Sequence, residues 1–145
     1  MSNIKTILVL GLPGSGKTTF AKRLHKHLPD SMRLNGDVIR DLYQDYDFSI
    51  EGRIRQARRL RMLAFDGLLA PNTKYVIIDF VCPLSAQLEI INPNYIIWIN
   101  TVIRSQYEDT DNLFTNPNCF DLEIPNYAYK IKKLAANLIR ELSDD

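Results

Sequence analysis

With 145 residues and 46% hydrophobic content, the chain has enough apolar material for one full core and little room for a second. Lys and Arg number 18 against 17 Asp and Glu, a net charge of +1, so the overall balance draws it neither to nucleic acid nor to a membrane, and any grip on a polyanion must be local. Cys82 and Cys119 form no CxxC and belong to no Cys/His cluster of metal-ligand spacing, no apolar run approaches the length of a membrane span, and "MSNIK" runs straight into an apolar segment; a single cytoplasmic domain over 1–145 is the expectation.

Residues 4–10 read as a buried strand and 17–28 as a helix, with Phe20, Leu24 and Leu28 at helical spacing. Between them, "GLPGSGKT" fits G-x-x-x-x-G-K-[ST]. Gly11, Gly14 and Gly16 let the backbone bend around a polyphosphate without Cβ clashes, so that N–H groups from Gly14 through Thr19, including that of Ser15, point at its oxygens. Lys17 supplies a point charge to the β- and γ-phosphates, the Thr18 hydroxyl is a ligand for Mg²⁺, and the helix N-terminus favours the anion. The strand before and the helix after turn a weak pattern into a strong one, implying an ATP site.

A strand at 32–35 and a helix at 36–45 follow. Their junction, "RLNGDVIRDLY", places Asp37 just past a strand's carboxyl end and Arg40 one helical turn later. Such an acid either holds Mg²⁺ or accepts the proton of an attacking hydroxyl; the alternative is a simple helix N-cap. Residues 50–69 form a third helix, in which Arg53, Arg55, Arg58, Arg59 and Arg61 crowd nine positions. Ile54, Ala57, Leu60, Ala64 and Leu68 mark its apolar face; Arg53 and Arg61 fall on it, while Arg55 and Arg59 point to the surface. A guanidinium turned toward the body of a domain needs an anion, which makes Arg53 a substrate contact and leaves Arg61 as a structural ion pair.

"APNTK" stops that helix, and the strand 74–81, "KYVIIDFV", ends its apolar run at Asp79, which either orders a Mg²⁺ shell or bonds to a turn. A helix at 84–91, strands at 94–100 and 120–124, and a helix at 126–142 complete the chain. Alternating strands and helices predict an α/β fold with a central, mainly parallel sheet flanked by helices and the ligand beyond its carboxyl edge.

These residues resemble the adenylylsulfate kinases, which phosphorylate the 3′-hydroxyl of adenosine 5′-phosphosulfate. The family's P-loop, its L-D-G-D-N-x-R segment and its G-F-S-x-x-x-R-x-x-N helix entry look like "GLPGSGKTT", "LNGDVIR" and "DFSIEGRIRQ", and its S-x-I-S-P-F stretch is similar to "DFVCPL". The likeness spans about residues 5 to 100 and implies a P-loop kinase fold, Mg²⁺ with ATP as donor, and a small anionic acceptor bearing a hydroxyl. It implies that Asp37 is the catalytic acid, with Lys17 beside it, and that Arg40, Phe48, Arg53 and Gln56 contact the acceptor. Thr18, Asp79 and Asp37 are the metal-site candidates, and a homodimer is an open option. Val38 and Gln56 stand where the family has Asn, Cys82 where it has Ser, and the segment 101–119, where the family carries a basic lid, is short and acidic. Alternatives are a small kinase for a nucleoside, a modified base or a polynucleotide hydroxyl, and a nucleotide-binding regulator without turnover.

Overall fold

The computed structural model describes residues 4–66, 70–82, 84–101, 120–125 and 130–143. Within them, β1 (Lys5–Leu10), β2 (Ser31–Asn35), β3 (Tyr75–Asp79), β4 (Tyr95–Ile99) and β5 (Leu122–Ile124) form one sheet in the order β2-β3-β1-β4-β5, every pairing parallel. The helices are α1 (Lys17–His27), α2 (Gly36–Tyr43), α3 (Ile50–Asp66), α4 (Ser85–Ile91) and α5 (Ile131–Glu141). The elements follow the order expected from sequence, with shifted ends. α2 stops at Tyr43 because Gln44 adopts a left-handed conformation, φ 49°, and its N–H turns back to the Arg40 and Asp41 carbonyls. β3 stops at Asp79 rather than 81, and Cys82, at φ 54°, turns the chain. Leu68, Cys119, the acidic stretch from 102 to 119 and the expected helix start at 126 lie outside the described residues.

Strand alternation sends successive side chains to opposite faces, and each face has its own core. Ile7, Val9, Ile77, Ile97 and Ile99 pack with Phe20, Ala21 and Leu24 of α1 and with Leu134 and Leu138 of α5. Leu8, Leu10, Val76, Ile78 and Trp98 pack with Ile39 of α2, Ala57, Leu60 and Ala64 of α3, and Ile91 of α4. Burying a side chain such as Leu60 stabilises the fold by roughly 1.5–3 kcal/mol.

The two faces determine where a ligand fits. β1 and β3 are neighbours, yet α1, after β1, lies on one face, while α4, after β3, lies on the other. The connections therefore part at the carboxyl ends of these strands and leave a crevice there. Asp79 is paired in register with Val9 of β1 and Asn35 of β2, so the starts of α1 and α2 converge on the same edge.

Candidate active site

The loop between β1 and α1 curls back on itself. Gly14 (φ 81°) and Gly16 (φ 96°) hold left-handed conformations that side-chain-bearing residues rarely adopt. At Gly11 a Cβ would stand 2.5 Å from the Ile99 carbonyl oxygen and 2.9 Å from Ser15 Oγ, so any larger residue would push the loop off β4. The Ser15 N–H donates to the Leu12 carbonyl at 3.1 Å, and Thr101 Oγ1 donates to the Ser15 carbonyl at 2.7 Å. Lys17, buried, folds its Nζ onto the Leu12 carbonyl at 2.9 Å. Burial pulls its pKa down to about 8, against the opposing pull of Asp79 and Asp37. The first turn of α1, with Thr18 and the exposed Thr19, leaves N–H groups that helix geometry does not satisfy.

Beside this loop lies a tight polar corner. Asp79, 1% exposed, accepts on Oδ1 from Asn35 Nδ2 at 2.6 Å and from Thr18 Oγ1 at 3.2 Å. Asn35 Nδ2 also reaches Thr18 Oγ1 at 3.1 Å, and Arg33 Nη1 stands 3.5 Å from Asp79 Oδ2. Burial pushes the Asp79 carboxyl up, while Asn35, Arg33 and Thr18 oppose the shift. A hydroxyl and a buried carboxylate suit a hard cation such as Mg²⁺. Among the described residues no group of three or more His, Cys, Asp and Glu is placed to hold a metal, so an ion here would depend on nucleotide oxygens as well.

Asn35 also answers the question raised by Asp37. Its Oδ1 accepts the Val38 N–H at 3.0 Å, so Asn35, not Asp37, caps α2. Asp37 stands exposed in the first turn, with no hydrogen bond or ion pair to another described residue. The reading of Asp37 as a mere cap therefore falls.

The remaining candidates gather where α2, its connection to α3 and the start of α3 meet. Ser49 Oγ accepts the Gly52 N–H at 3.2 Å and so starts α3. Arg40, buried, donates from Nη1 to the Asp45 and Asp47 carbonyls at 3.0 and 3.2 Å. Its guanidinium lies 4.2 Å from the centre of the Phe48 ring, and that of Arg53 lies at 5.5 Å. Arg53 Nε donates to the Phe48 carbonyl at 2.8 Å. Phe48 itself is 47% exposed, an aromatic surface held between two cations.

Three expectations need correction. Gln56, read as an acceptor contact, is 2% exposed, and its amide is engaged, with Nε2 on the Gly36 carbonyl at 2.9 Å and Oε1 taking Arg59 Nη1 at 2.9 Å; it braces the site from behind. Arg59, expected on the surface, has a side chain only 11% exposed, bonded to Asp45 at 2.8 Å and stacked 4.3 Å from the Tyr43 ring centre. The α2–α3 connection folds over the face that the helical wheel turned toward water. Arg61 reaches the Ile91 carbonyl at the end of α4 at 2.8 Å, where a helix dipole rather than a carboxylate receives it. Arg55 is half exposed but also bound, to Asp45 at 2.8 Å and Asp47 at 3.1 Å.

Sequence reasoning passed over Arg33, Asn35 and Asp45. Asp45 binds Arg55 and Arg59, which hold its carboxyl far below the usual range, and its carbonyl takes Arg40. Its signal was only an acid in a polar "QDYD" between two helices, because its partners lie 5 to 14 positions away.

The family model for adenylylsulphate kinase matches residues 3–95, which include every candidate above. A probable adenylyl-sulfate kinase of Synechocystis sp. is 37% identical over 86 residues, covering 56% of this chain and 48% of the relative. An adenylyl-sulfate kinase of Halothermothrix orenii is 34% identical over 83 residues, covering 54% and 44%. The chain thus spans about half the length of these relatives. The Mycobacterium tuberculosis APS kinase CysC, solved with AMPPNP and APS, superposes with a TM-score of 0.71 at 21% identity over 98% of each chain, a likeness of fold. The family model's match over residues 3–95, well over half of the chain, means that this chain belongs to the adenylylsulphate kinase family.

Proposed function

We propose that the chain transfers the γ-phosphoryl group of ATP to the 3′-hydroxyl of adenosine 5′-phosphosulfate. The observation that carries the reading is the placement of Asp37. It is relieved of capping by Asn35, near enough to counter the lowered pKa of Lys17, and on the same short helix as Arg40. One exposed carboxylate thereby influences both Lys17 and Arg40, which supports a role for it between donor and acceptor.

On the donor side, Lys17 leaves the Leu12 carbonyl for the β- and γ-oxygens, and N–H groups of Gly14 to Thr19 hold the phosphates. Thr18 and Asp79 are the residues that would hold Mg²⁺, which when bound screens the phosphate charge. On the acceptor side, Phe48 packs on the adenine and Arg40 and Arg53 grip the phosphosulfate anion. Asp37 orients the 3′-hydroxyl and takes its proton as the new O–P bond forms. The bond from the γ-phosphorus to the bridging oxygen breaks, and ADP leaves with its electron pair. Rate enhancement then comes mainly from positioning and charge stabilisation. The use of ATP and the free, buried thiol of Cys82 support a cytoplasmic setting; among the described residues no helix is long and apolar enough to cross a membrane.

The test is ADP release by purified protein with Mg²⁺ and ATP across a panel of acceptors: adenosine 5′-phosphosulfate, nucleosides and 5′-hydroxyl polynucleotides. Preference for the first supports the proposal. Labelling of a nucleoside or nucleic acid alone replaces the acceptor, and no ADP with any acceptor makes the chain a binder without turnover.

A further inference from the structure

We propose that Thr101, just past the end of β4, is the positioning residue of the phosphate loop: its hydroxyl holds the Ser15–Gly16 peptide with the carbonyl turned to β4 and the Gly16 N–H turned to the donor phosphates. No local feature of the loop assigns this role, because Ser15 and Thr101 lie 86 positions apart and meet only where β1 and β4 pair.

The polar groups around Ser15 decide which way the loop faces. The Ser15 N–H is taken by the Leu12 carbonyl at 3.1 Å, inside the loop. The Ser15 hydroxyl is buried and has no hydrogen-bond partner among the described residues, so it does not hold the loop. The Ser15 carbonyl lies before the first turn of α1, and among the described residues its one hydrogen bond comes from Thr101 Oγ1 at 2.7 Å. The peptide that follows is trans and planar, so its carbonyl and its N–H point in opposite directions. A carbonyl fixed on β4 therefore sends the Gly16 N–H away from β4. That N–H bonds to no other described residue, and free N–H groups in such left-handed turns are what an anion binds.

The end of β4 is a wall behind the loop. Gly11 approaches it so closely that a Cβ would stand 2.5 Å from the Ile99 carbonyl oxygen. Pressing alone leaves the Ser15–Gly16 peptide free to rotate, since Gly16 has the permissive backbone of glycine. A rotated peptide would point its carbonyl oxygen at the phosphates and repel them. The Thr101 bond removes that freedom, so the end of β4 sets the direction of an N–H that the loop's own glycines leave open.

The inference rests on the donor half of the proposed function and needs no acceptor. The parent, Thr101→Val, which keeps the shape but lacks the hydroxyl, and Thr101→Ser, which keeps the hydroxyl, are titrated with a non-hydrolysable ATP analogue and with tripolyphosphate, both with Mg²⁺, and the Tm of each free protein is recorded. Thr101→Val should lose at least about tenfold in affinity for both ligands, the order expected when a buried carbonyl is left without its donor. Thr101→Ser should stay within about threefold of the parent for both. Equal losses for both ligands locate the effect at the phosphates, which tripolyphosphate shares with the analogue, and not at the base. A folded Thr101→Val that binds both ligands like the parent, whatever its Tm, overturns the proposal and leaves the bond a structural one. So does a Thr101→Ser protein as weak as Thr101→Val, or a loss confined to the analogue. If Thr101→Val does not fold, Thr101→Ala takes its place with the same expectations, and its failure to fold also overturns the proposal. A parent that binds neither ligand overturns the phosphate-loop assignment and the proposal together; a parent that binds both, with no loss in Thr101→Val, overturns the proposal alone.

Discussion

The corners proposed to hold the donor and the acceptor are built by different means. The donor corner is made of strand ends and backbone: glycine turns, the start of α1, and the Thr18, Asn35 and Asp79 side chains brought together by parallel register. The acceptor corner is made of side chains on two helices and a connection, with Arg40, Arg53, Arg55 and Arg59 arranged around Phe48, Asp45 and Asp47. A sheet edge fixes positions through many shared hydrogen bonds, whereas a helix–loop cluster depends on a few ion pairs. On the proposed function, the first would hold the donor phosphates and the second would be the part that a change of acceptor alters.

The largest expected effect is in the donor corner. Lys17→Met should lower turnover at saturating ATP by roughly 10³-fold, since contacts to a developing transition-state charge are worth several kcal/mol. A variant within a few-fold of the parent would end the P-loop assignment. The same variant should raise the Tm of the nucleotide-free protein at pH 7. The folded-state pKa of Lys17, about 8, lies below the ordinary lysine value of 10.5, so the charged lysine destabilises the fold below pH 8. Between pH 8 and 10.5 the unfolded chain holds the extra proton, the parent gains stability as pH rises, and the Tm gap should close.

Next in size is Asp37→Asn. With α2 capped by Asn35, the variant should keep its Tm and its ATP affinity while turnover falls by roughly 10²-fold. Unchanged turnover would move the proton-accepting role elsewhere in the crevice.

The comparison of the two corners sharpens at Arg53. Arg53→Ala should raise the acceptor KM by about 10- to 100-fold and leave the ATP KM nearly as it is, the range for a lost charge-assisted hydrogen bond. Arg58, exposed on the same helix, is the control, and Arg58→Ala should change neither; Arg59 cannot serve, because it is bound to Asp45 and Gln56. An effect of Arg53→Ala on ATP alone would put the acceptor pocket somewhere else.

The smallest effect tests how the acceptor corner is held. Asp45→Asn weakens the hold on Arg55 and Arg59 and should lower Tm by a few degrees and raise the acceptor KM about threefold to fivefold, with ATP binding untouched. If ATP affinity fell as much, the two corners would not be separable.

What could be read from the sequence divides along the same line. The P-loop was legible because its function depends on backbone conformation at fixed local spacing, and glycine marks those positions directly. The inward turn of Arg53 was legible because a cation on an apolar helix face is costly alone. Arg59 was misread, since a helical wheel gives direction about its own axis and says nothing of a connection folded over that face. Gln56 was misplaced for a similar reason, its amide being taken by Gly36 on another helix.

The sequence by itself determined the alternating α/β order, the phosphate loop, and which acids and arginines lie just after strands. These follow from periodicities and turn chemistry within a few residues of each position. Only the tertiary structure decided which residue caps α2, which side of the sheet each helix covers, and how Asp79 is oriented. Those depend on contacts such as Asn35 to Asp79, 44 positions apart, which exist only once parallel strands bring two distant segments into register.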